Sequence, residues 1–135
     1  MWPGQVLRAG CALTSSGGNY TLSYQADCNL VLYRNSDRET VWASNTCGWR
    51  VPGAMVMQTD GNLVMFDIVG NPIWATQVCH PGSALVVQDE GNVAVYRPDN
   101  QLVWAMPANI VKKALGRGEP LTKNPELLGD FGFVD

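Results

Sequence analysis

A nine-residue pattern, Gln-x-Asp-x-Asn-x-Val-x-Tyr, occurs three times and constrains this chain more than any other feature. The copy at 25–33 is complete, the copy at 58–66 ends in Phe, and the copy at 88–96 has Glu for Asp and Ala for Val. A tryptophan follows each copy at nearly the same distance: Trp42, Trp74 and Trp104. A repeat of 30–33 residues that carries one polar set predicts three equivalent sites around a pseudo-threefold axis. It favours a binding protein over an enzyme, because binding gains from repeated sites whereas catalysis needs one asymmetric site.

Length and charge exclude several classes of partner. The 135 residues predict a single domain, and the net charge is −3 with nine Lys and Arg residues that form no cluster. Nucleic-acid binding depends on neutralising phosphates, so we expect no nucleic-acid partner. No apolar run is long enough to span a membrane, so we expect no membrane insertion. The start of the chain lacks the pattern of a signal peptide. We expect a secreted or extracellular mature form, because the cysteines described below favour disulfides, and the missing signal peptide makes a cytoplasmic location the alternative.

Four cysteines are present without the spacing of a metal site. None forms a Cys-x-x-Cys pair, and the chain has a single histidine, His80. Disulfide formation is therefore favoured over metal binding. We expect no metal and no cofactor. The cysteines are Cys11, Cys28, Cys47 and Cys79.

Each motif is predicted to form a β-hairpin with its turn in the middle. Residues around each copy alternate in character with a period of two, which is typical of a strand with one buried face. Residues 20–25, 54–58 and 84–88 form the first strands of the three hairpins, and turn-forming residues come directly after each of them. The turn brings Gln25 close to Asn29 and to the Tyr33 ring.

The side chains that this hairpin gathers suit a sugar ligand. A carboxylate accepts hydrogen bonds from hydroxyl groups, whereas amides and a phenol both donate and accept. A valine offers an apolar surface to the C–H groups of a sugar ring. For any single copy, Asp and Asn could serve only the turn. That alternative does not explain why Gln and Tyr recur at fixed offsets on the exposed face. The three tryptophans lie in apolar strand contexts, which predicts packing in the centre of the molecule.

Together these features resemble the bulb-type (snowdrop-lectin-like) family of mannose-binding lectins over residues 5–106. The resemblance depends on the three motif copies, the Trp-Ala-Ser/Thr strands and the opening Leu7-x-x-Gly10-x-x-Leu13. It implies an all-β fold, the β-prism II, in which three four-stranded antiparallel sheets surround a pseudo-threefold axis. It also implies metal-independent binding of mannose or mannosylated glycans, with one sugar site on each sheet.

The resemblance further implies a role for each motif residue. In the first copy, Asp27 and Asn29 would bind the axial 2-hydroxyl of mannose and Gln25 the 3-hydroxyl. Tyr33 would bind the 4-hydroxyl, and Val31 would pack on the ring carbons. The complete set of candidate carbohydrate-binding residues is Gln25, Asp27, Asn29, Val31 and Tyr33 in site one, Gln58, Asp60, Asn62, Val64 and Phe66 in site two, and Gln88, Glu90, Asn92, Ala94 and Tyr96 in site three.

Departures from the motif predict that two sites are degenerate. Phe66 lacks the hydroxyl of tyrosine, which removes one hydrogen bond from site two, at a cost of about 0.5–1.5 kcal/mol. In site three, Glu90 displaces the carboxylate by one methylene and Ala94 removes the apolar contact, so we expect weak or absent binding. The resemblance also implies a disulfide between Cys28 and Cys47.

Residues 107–135 lie beyond the resemblance and form a predicted C-terminal extension to a lectin domain at 1–106. A short helix is predicted over 109–115, and Pro120 and Pro125 disfavour regular secondary structure after it. The end is apolar, with Leu127, Leu128, Phe131 and Phe133. Family members exchange C-terminal strands, which implies a homodimer or larger homo-oligomer, and this extension is predicted to clamp a neighbouring subunit.

Other functions and folds compete with this interpretation. A prism-fold interaction protein that has lost sugar binding would not need the complete first motif. A lectin-like antibacterial toxin generally carries two such domains, and this chain has room for one. A glycoside hydrolase needs a pair of carboxylates, which single repeated Asp residues do not supply. A β-trefoil has threefold symmetry, but its repeats are generally longer.

Overall fold

A computed structural model describes residues 1–48 and 50–107, which form eleven β-strands. Short turns connect most of them, consistent with an antiparallel arrangement. The strands are β1 Val6–Arg8, β2 Ala12–Thr14, β3 Tyr20–Tyr24, β4 Leu30–Arg34, β5 Glu39–Ala43, β6 Pro52–Met57, β7 Leu63–Asp67, β8 Pro72–Ala75, β9 Ala84–Gln88, β10 Asn92–Tyr96 and β11 Leu102–Met106.

The strands form three antiparallel sheets, each built around one motif hairpin. The first sheet has the order β2-β3-β4-β5 and the second β1-β6-β7-β8. The third sheet has only three strands within the described residues, in the order β9-β10-β11. In the first and second sheets the outer position is occupied by β2 and β1. In the third sheet the same position, beside β9, is occupied by the Met1 backbone, which pairs with Leu85. The predicted all-β, three-sheet prism is therefore confirmed, with a difference of one strand in the third sheet.

The three sheets share one register, which expresses the sequence repeat in three dimensions. The central pairs Ser23–Val31, Val56–Val64 and Val86–Ala94 occupy the same position in the first, second and third sheets. Each sheet has an irregularity in the pairing between its last two strands, just beyond the residue that faces the tryptophan. Equivalent residues can therefore be compared directly from one sheet to another.

The core is built from the inward-facing residues of all three sheets. Leu32, Met65 and Val95 come from the three central strands and are fully buried, as the alternation with period two predicts. Trp42, Trp74 and Trp104 pack against this core, and their ring centroids lie 5.7–6.1 Å apart at tilted or edge-to-face angles. The prediction that the tryptophans fill the centre of the prism is confirmed, because each ring contacts the other two.

Two predictions about the C-terminal extension lie outside the described residues. These are the helix at 109–115 and the apolar clamp formed by Leu127, Leu128, Phe131 and Phe133. Within residues 1–48 and 50–107, no helix is long and apolar enough to cross a membrane.

Candidate functional site

The three motifs form three hairpins, and each hairpin places its candidate residues on the outer face of one sheet. Every turn contains the same backbone hydrogen bond, from the fourth motif residue to the carbonyl of the motif Gln. The donors are Cys28, Gly61 and Gly91, at 3.1, 3.0 and 3.0 Å. The predicted fold-back is therefore present in all three copies, and the turns of site one, site two and site three have the same backbone hydrogen bond.

The fourth motif residue adopts the left-handed backbone conformation in every turn, with φ of 74° at Cys28, 92° at Gly61 and 96° at Gly91. Glycine adopts this region without strain, whereas a residue with a Cβ atom is disfavoured there. At Gly61 the requirement is also steric, since a Cβ atom would lie 2.1 Å from the His80 carbonyl oxygen. Site one accepts a cysteine at the same position.

The motif aspartates serve the turn and leave one carboxylate oxygen for another partner. Asp27 Oδ1 accepts the Asn29 backbone N–H at 2.9 Å, and Asp60 Oδ1 accepts that of Asn62 at 2.9 Å. These bonds fix the orientation of each carboxylate. The turn role and a binding role are thus compatible, because each uses a different oxygen.

Site one is half-open, and its amides are held by neighbouring groups. The Gln25 side-chain amide donates to the Tyr33 hydroxyl, and Arg38 lies over the Tyr33 ring at 5.9 Å from its centroid. Asn29 Oδ1 accepts the Ser44 hydroxyl at 3.2 Å and the Thr46 backbone N–H at 3.3 Å. Since both of these bonds end on the oxygen, the Asn29 NH₂ group is the part of the amide that remains for a ligand.

Site two repeats this arrangement around its own asparagine. Asn62 Oδ1 accepts the Thr76 hydroxyl at 3.1 Å and the Gln77 backbone N–H at 2.9 Å. Val64 lies on the floor, as Val31 does in site one. Phe66 occupies the place of Tyr33, and it offers Gln58 no hydroxyl, because its ring carries no oxygen. Site two therefore has the shape of site one with one polar group fewer.

Site three is closed upon itself. Asn92 Nδ2 donates to Gln88 Oε1 at 2.6 Å, and Gln88 Nε2 donates to the Tyr96 hydroxyl at 2.9 Å. Gln88, Asn92 and Tyr96 are only 1%, 2% and 3% exposed, whereas their counterparts in the other two sites are partly exposed. Burial raises the pKa of the Tyr96 phenol to about 12. The structure thus brings these predicted residues together, but their polar groups satisfy one another.

Neither acidic residue of the third turn, Asp89 or Glu90, takes the role that Asp27 has in site one. Glu90, at the motif Asp position, is exposed. Asp89 faces the loop before β3, where its carboxylate accepts the Ser15 hydroxyl and the Gly17 backbone N–H, the latter at 2.8 Å. The carboxylate of Asp89 therefore holds two parts of the fold together.

The hydroxyl groups of Ser44 and Thr76 were not predicted as site residues. Each follows a Trp-Ala pair and orients the motif asparagine of its own sheet. The repeated Trp-Ala-Ser/Thr sequence is the signal that could have identified them. Met106 takes this position in the third sheet and has no hydroxyl to donate, so Asn92 turns to Gln88 instead.

The predicted disulfide between Cys28 and Cys47 is wrong for this structure, in which all four cysteines are free thiols. Cys28 is buried and its thiol donates to the Arg50 carbonyl at 2.9 Å. Cys47 is exposed and donates to Asp27 Oδ2 at 3.6 Å. The two side chains face different partners. The pKa of the Cys28 thiol is raised chiefly by burial, and that of Cys47 chiefly by the Asp27 carboxylate, so both thiols stay protonated at neutral pH.

Comparison with known proteins identifies the family. The chain is 38% identical over 93 residues to a mannose-specific lectin from Aloe arborescens, covering 67% of this chain and 81% of that protein. The chain belongs to the bulb-type mannose-binding lectin family. Its members are lectins and not enzymes, so the chain is not an enzyme. No protein-family model matches the chain.

Solved structures agree with this assignment. Mannose-binding lectins from Gastrodia elata superpose with a TM-score of 0.71 at 34% identity, covering 79% of this chain and 94% of theirs. The Polygonatum cyrtonema lectin complexed with monomannoside superposes with a TM-score of 0.65 at 35% identity, covering 80% and 94%. Other relatives are longer, and the chain spans 40% of the mannose-specific lectin from Galanthus nivalis.

Proposed function

We propose that this protein binds mannose-containing glycans without a metal ion, chiefly through site one. The observation that carries the proposal is that site one alone combines the complete motif with partly exposed polar groups. Its relatives from Aloe arborescens and Polygonatum cyrtonema support mannose as the sugar, through specificity in the first and a bound monomannoside in the second.

The hydrogen-bonding groups of site one complement a row of sugar hydroxyls. The Asn29 NH₂ group is oriented as a donor, because Ser44 and Thr46 occupy the amide oxygen. Tyr33 accepts from Gln25, which leaves its hydroxyl proton for a ligand. Asp27 Oδ2 accepts only a weak thiol bond, which a sugar hydroxyl replaces with a stronger one. Val31, which is 3% exposed, forms the apolar floor.

We infer that sugar binding at site one needs no metal ion, because of the same four side chains. One carboxylate and three neutral polar side chains bind hydroxyls directly, without the ligand set that a cation requires. Among the described residues no group of three or more His, Cys, Asp or Glu side chains could hold a metal ion.

Binding is proposed to weaken from site one to site two and to be absent at site three. Site two lacks the Tyr hydroxyl, and the polar groups of site three are buried and mutually satisfied. A single open site of this kind binds a monosaccharide near the millimolar range, or about −4 kcal/mol. Useful affinity for a glycan surface then requires several sites in one assembly.

We therefore propose a homodimer or larger homo-oligomer as the working form. The weak affinity expected of a single site supports this proposal, because several sites in one assembly raise the avidity for a glycan surface. Sedimentation velocity of the full chain should show an assembly. A monomer at all concentrations would leave two unequal sites for each particle and would contradict this part of the proposal.

Titration calorimetry with methyl α-mannoside tests the sugar site. Asp27→Asn keeps the oxygen that accepts the Asn29 N–H but replaces the outward oxygen with an NH₂ group, so the turn persists while binding at site one is lost. Asp60→Asn makes the same change in site two and serves as the matched control, with most of the binding retained. Unchanged binding in Asp27→Asn, with Asp60→Asn also unchanged, would exclude the proposed mode.

A further inference from the structure

The outer face of the second sheet is apolar at positions where the first sheet carries hydroxyl groups. The matched pairs, first sheet then second, are Thr21 and Ala54, Ser23 and Val56, and Thr40 and Pro72. On the outer strand, Val6 takes the place of Ala12 and is 49% exposed, and Arg8 takes the place of Thr14 at the border. We call this apolar surface the site-two face; its members are Val6, Ala54, Val56, Val64, Phe66 and Pro72. All of them except Val64 are at least partly exposed.

The apolar character continues beyond the end of this sheet. Val51, Ile68 and Val69 are 60%, 66% and 76% exposed. The Ile68 N–H donates to the Val51 carbonyl at 2.9 Å, and Asp67 Oδ1 accepts the Val69 N–H at 3.1 Å, so the backbone holds these side chains in solvent. The corresponding turn of the first sheet, residues 35–38, is Asn-Ser-Asp-Arg. Adjoining exposed apolar side chains are typical of a binding surface.

The other end of site two keeps the polar groups that suit sugar hydroxyls. Asn62 Oδ1 accepts the Thr76 hydroxyl at 3.1 Å and the Gln77 N–H at 2.9 Å, which leaves the Asn62 NH₂ group as a donor. Asp60 Oδ1 accepts the Asn62 N–H at 2.9 Å, which leaves the second carboxylate oxygen as an acceptor. Site two therefore joins a polar end to an apolar surface. A complementary ligand carries hydroxyl groups at one end and an apolar group at the other.

We propose that site two binds mannosides that carry an apolar substituent. The sugar hydroxyls bond to Asp60 and Asn62, and the substituent lies across the site-two face toward Ile68. Six residues of extended chain separate Asn62 from Ile68, or about 20 Å, which is longer than one sugar ring and leaves room for an alkyl chain. This ligand class rests on the proposed binding of mannose and goes beyond it in one respect, the apolar substituent.

The first sheet does not offer the same surface to such a substituent. An alkyl chain beside site one would cover the hydroxyl groups of Thr21 and Ser23, and burying a polar group without a hydrogen-bond partner costs free energy. The same chain on Ala54 and Val56 removes only apolar area from water, which is favourable. The two sites should therefore differ in how they respond to one change in the ligand.

Titration calorimetry of the full chain with two mannosides tests this difference. Octyl α-mannoside, kept below the concentration at which it forms micelles, is compared with methyl α-mannoside. Asp27→Asn isolates site two, and Asp60→Asn isolates site one. At site two the octyl ligand should bind at least about tenfold more tightly than the methyl ligand, because burial of roughly 60 Å² of apolar area accounts for that factor. At site one the two affinities should agree within about threefold. The same ratio at both sites would overturn the proposal.

Variants that copy the first sheet into the second locate the apolar contact. Val56→Ser introduces the residue of Ser23, and Ile68→Asn introduces the residue found two positions after Tyr33. In the Asp27→Asn background the two changes together should reduce the octyl advantage to less than about threefold, while tryptophan fluorescence shows a folded protein. Adding Asp60→Asn instead should abolish binding of octyl α-mannoside. Octyl binding that persists there would mean that the face takes an alkyl chain without its sugar, which overturns the proposal.

Two further outcomes separate this proposal from its alternatives. If Val56→Ser and Ile68→Asn leave the octyl advantage intact and reduce the assembly seen in sedimentation, the site-two face is an interface between copies and the proposal is overturned. If the parent chain binds methyl α-mannoside but site two shows no octyl advantage, the proposal fails and the proposed function stands. Absence of methyl α-mannoside binding in the parent chain would contradict the proposed function, and this proposal with it.

Discussion

The outer faces of the first and third sheets share one backbone register and present opposite surfaces. At four matched positions the first sheet has Thr21, Ser23, Val31 and Thr40, whereas the third has Ala84, Val86, Ala94 and Leu102. Val31 and Ala94 belong to the motif, and the Gln, Asn and Tyr positions of the motif are identical in the two copies. The comparison shows that the residues around a motif decide whether it faces solvent and a ligand or forms part of a packed interior.

The largest expected contrast comes from removing the motif asparagine from each sheet. Asn29→Ala should reduce the mannose affinity of site one by about 2–3 kcal/mol, because a preoriented donor is lost. Asn92→Ala should leave mannose binding unchanged and lower the free energy of unfolding by about 1–3 kcal/mol, because the buried Gln88 oxygen loses its partner. Calorimetric titration and urea unfolding of both variants measure the two effects. A loss of sugar binding in Asn92→Ala would show that site three is open.

The buried phenol of site three predicts a stability loss at alkaline pH. Burial raises the pKa of Tyr96 to about 12, whereas tyrosine in an unfolded chain titrates near 10. Between these values the unfolded chain has released the proton and the folded chain retains it, so stability is complete below about pH 10 and falls as the pH rises toward 12. Urea unfolding at a series of pH values should show a shallower decline in Tyr96→Phe. The same slope in both proteins would contradict the burial of this phenol.

The third contrast concerns the hydroxyl beside the asparagine. Ser44→Met copies the third sheet into the first and should lower mannose affinity by about 1 kcal/mol, because Asn29 loses one of the bonds that orient it. Ser44→Thr copies the second sheet and should retain affinity, which makes it the matched control. If Ser44→Met bound mannose like the parent, the different orientation of Asn92 in site three would need a cause other than Met106.

The sequence predicted the features that depend on the repeat itself. The three hairpins and the contact among Trp42, Trp74 and Trp104 follow from spacing and alternation, which local geometry enforces. The same pattern placed Gln25 beside Tyr33. These features need no knowledge of how one sheet contacts another part of the chain.

Other features depend on contacts that a repeat does not encode. Among residues 1–48 and 50–107 the third sheet has one strand fewer than the others, and its outer position is occupied by Met1, far from the motif in sequence. The family resemblance implied a disulfide between Cys28 and Cys47, but one thiol faces the interior and the other faces Asp27. The sequence predicted weak or absent binding at site three, but it did not predict that Gln88, Asn92 and Tyr96 are buried and bond to one another.

The fourth test improves site two toward site one. Phe66→Tyr supplies the hydroxyl that Gln25 uses in the first sheet and should increase the mannose affinity of site two by about 0.5–1.5 kcal/mol. Calorimetric titration in an Asp27→Asn background isolates site two. Tyr33→Phe in the parent chain is the reverse change and should cost site one a similar amount. A folded Phe66→Tyr variant without any gain would mean that the ring hydroxyl is not what separates the two sites.

The smallest expected effect lies at the rim of site one, where the Arg38 guanidinium rests on the Tyr33 ring. An exposed cation–π contact contributes about 0.5–1 kcal/mol, and here it helps to hold the ring that presents the hydroxyl. Arg38→Ala should therefore lower mannose affinity slightly, and Arg38→Lys should retain part of the contact. Measuring the Arg38→Ala effect again in a Tyr33→Phe background shows whether Arg38 acts by positioning the Tyr33 hydroxyl or by placing its charge near the ligand. If the affinity loss on Arg38→Ala is the same with and without the hydroxyl, Arg38 acts on the ligand directly, and the hydrogen bond from Gln25 suffices to position Tyr33.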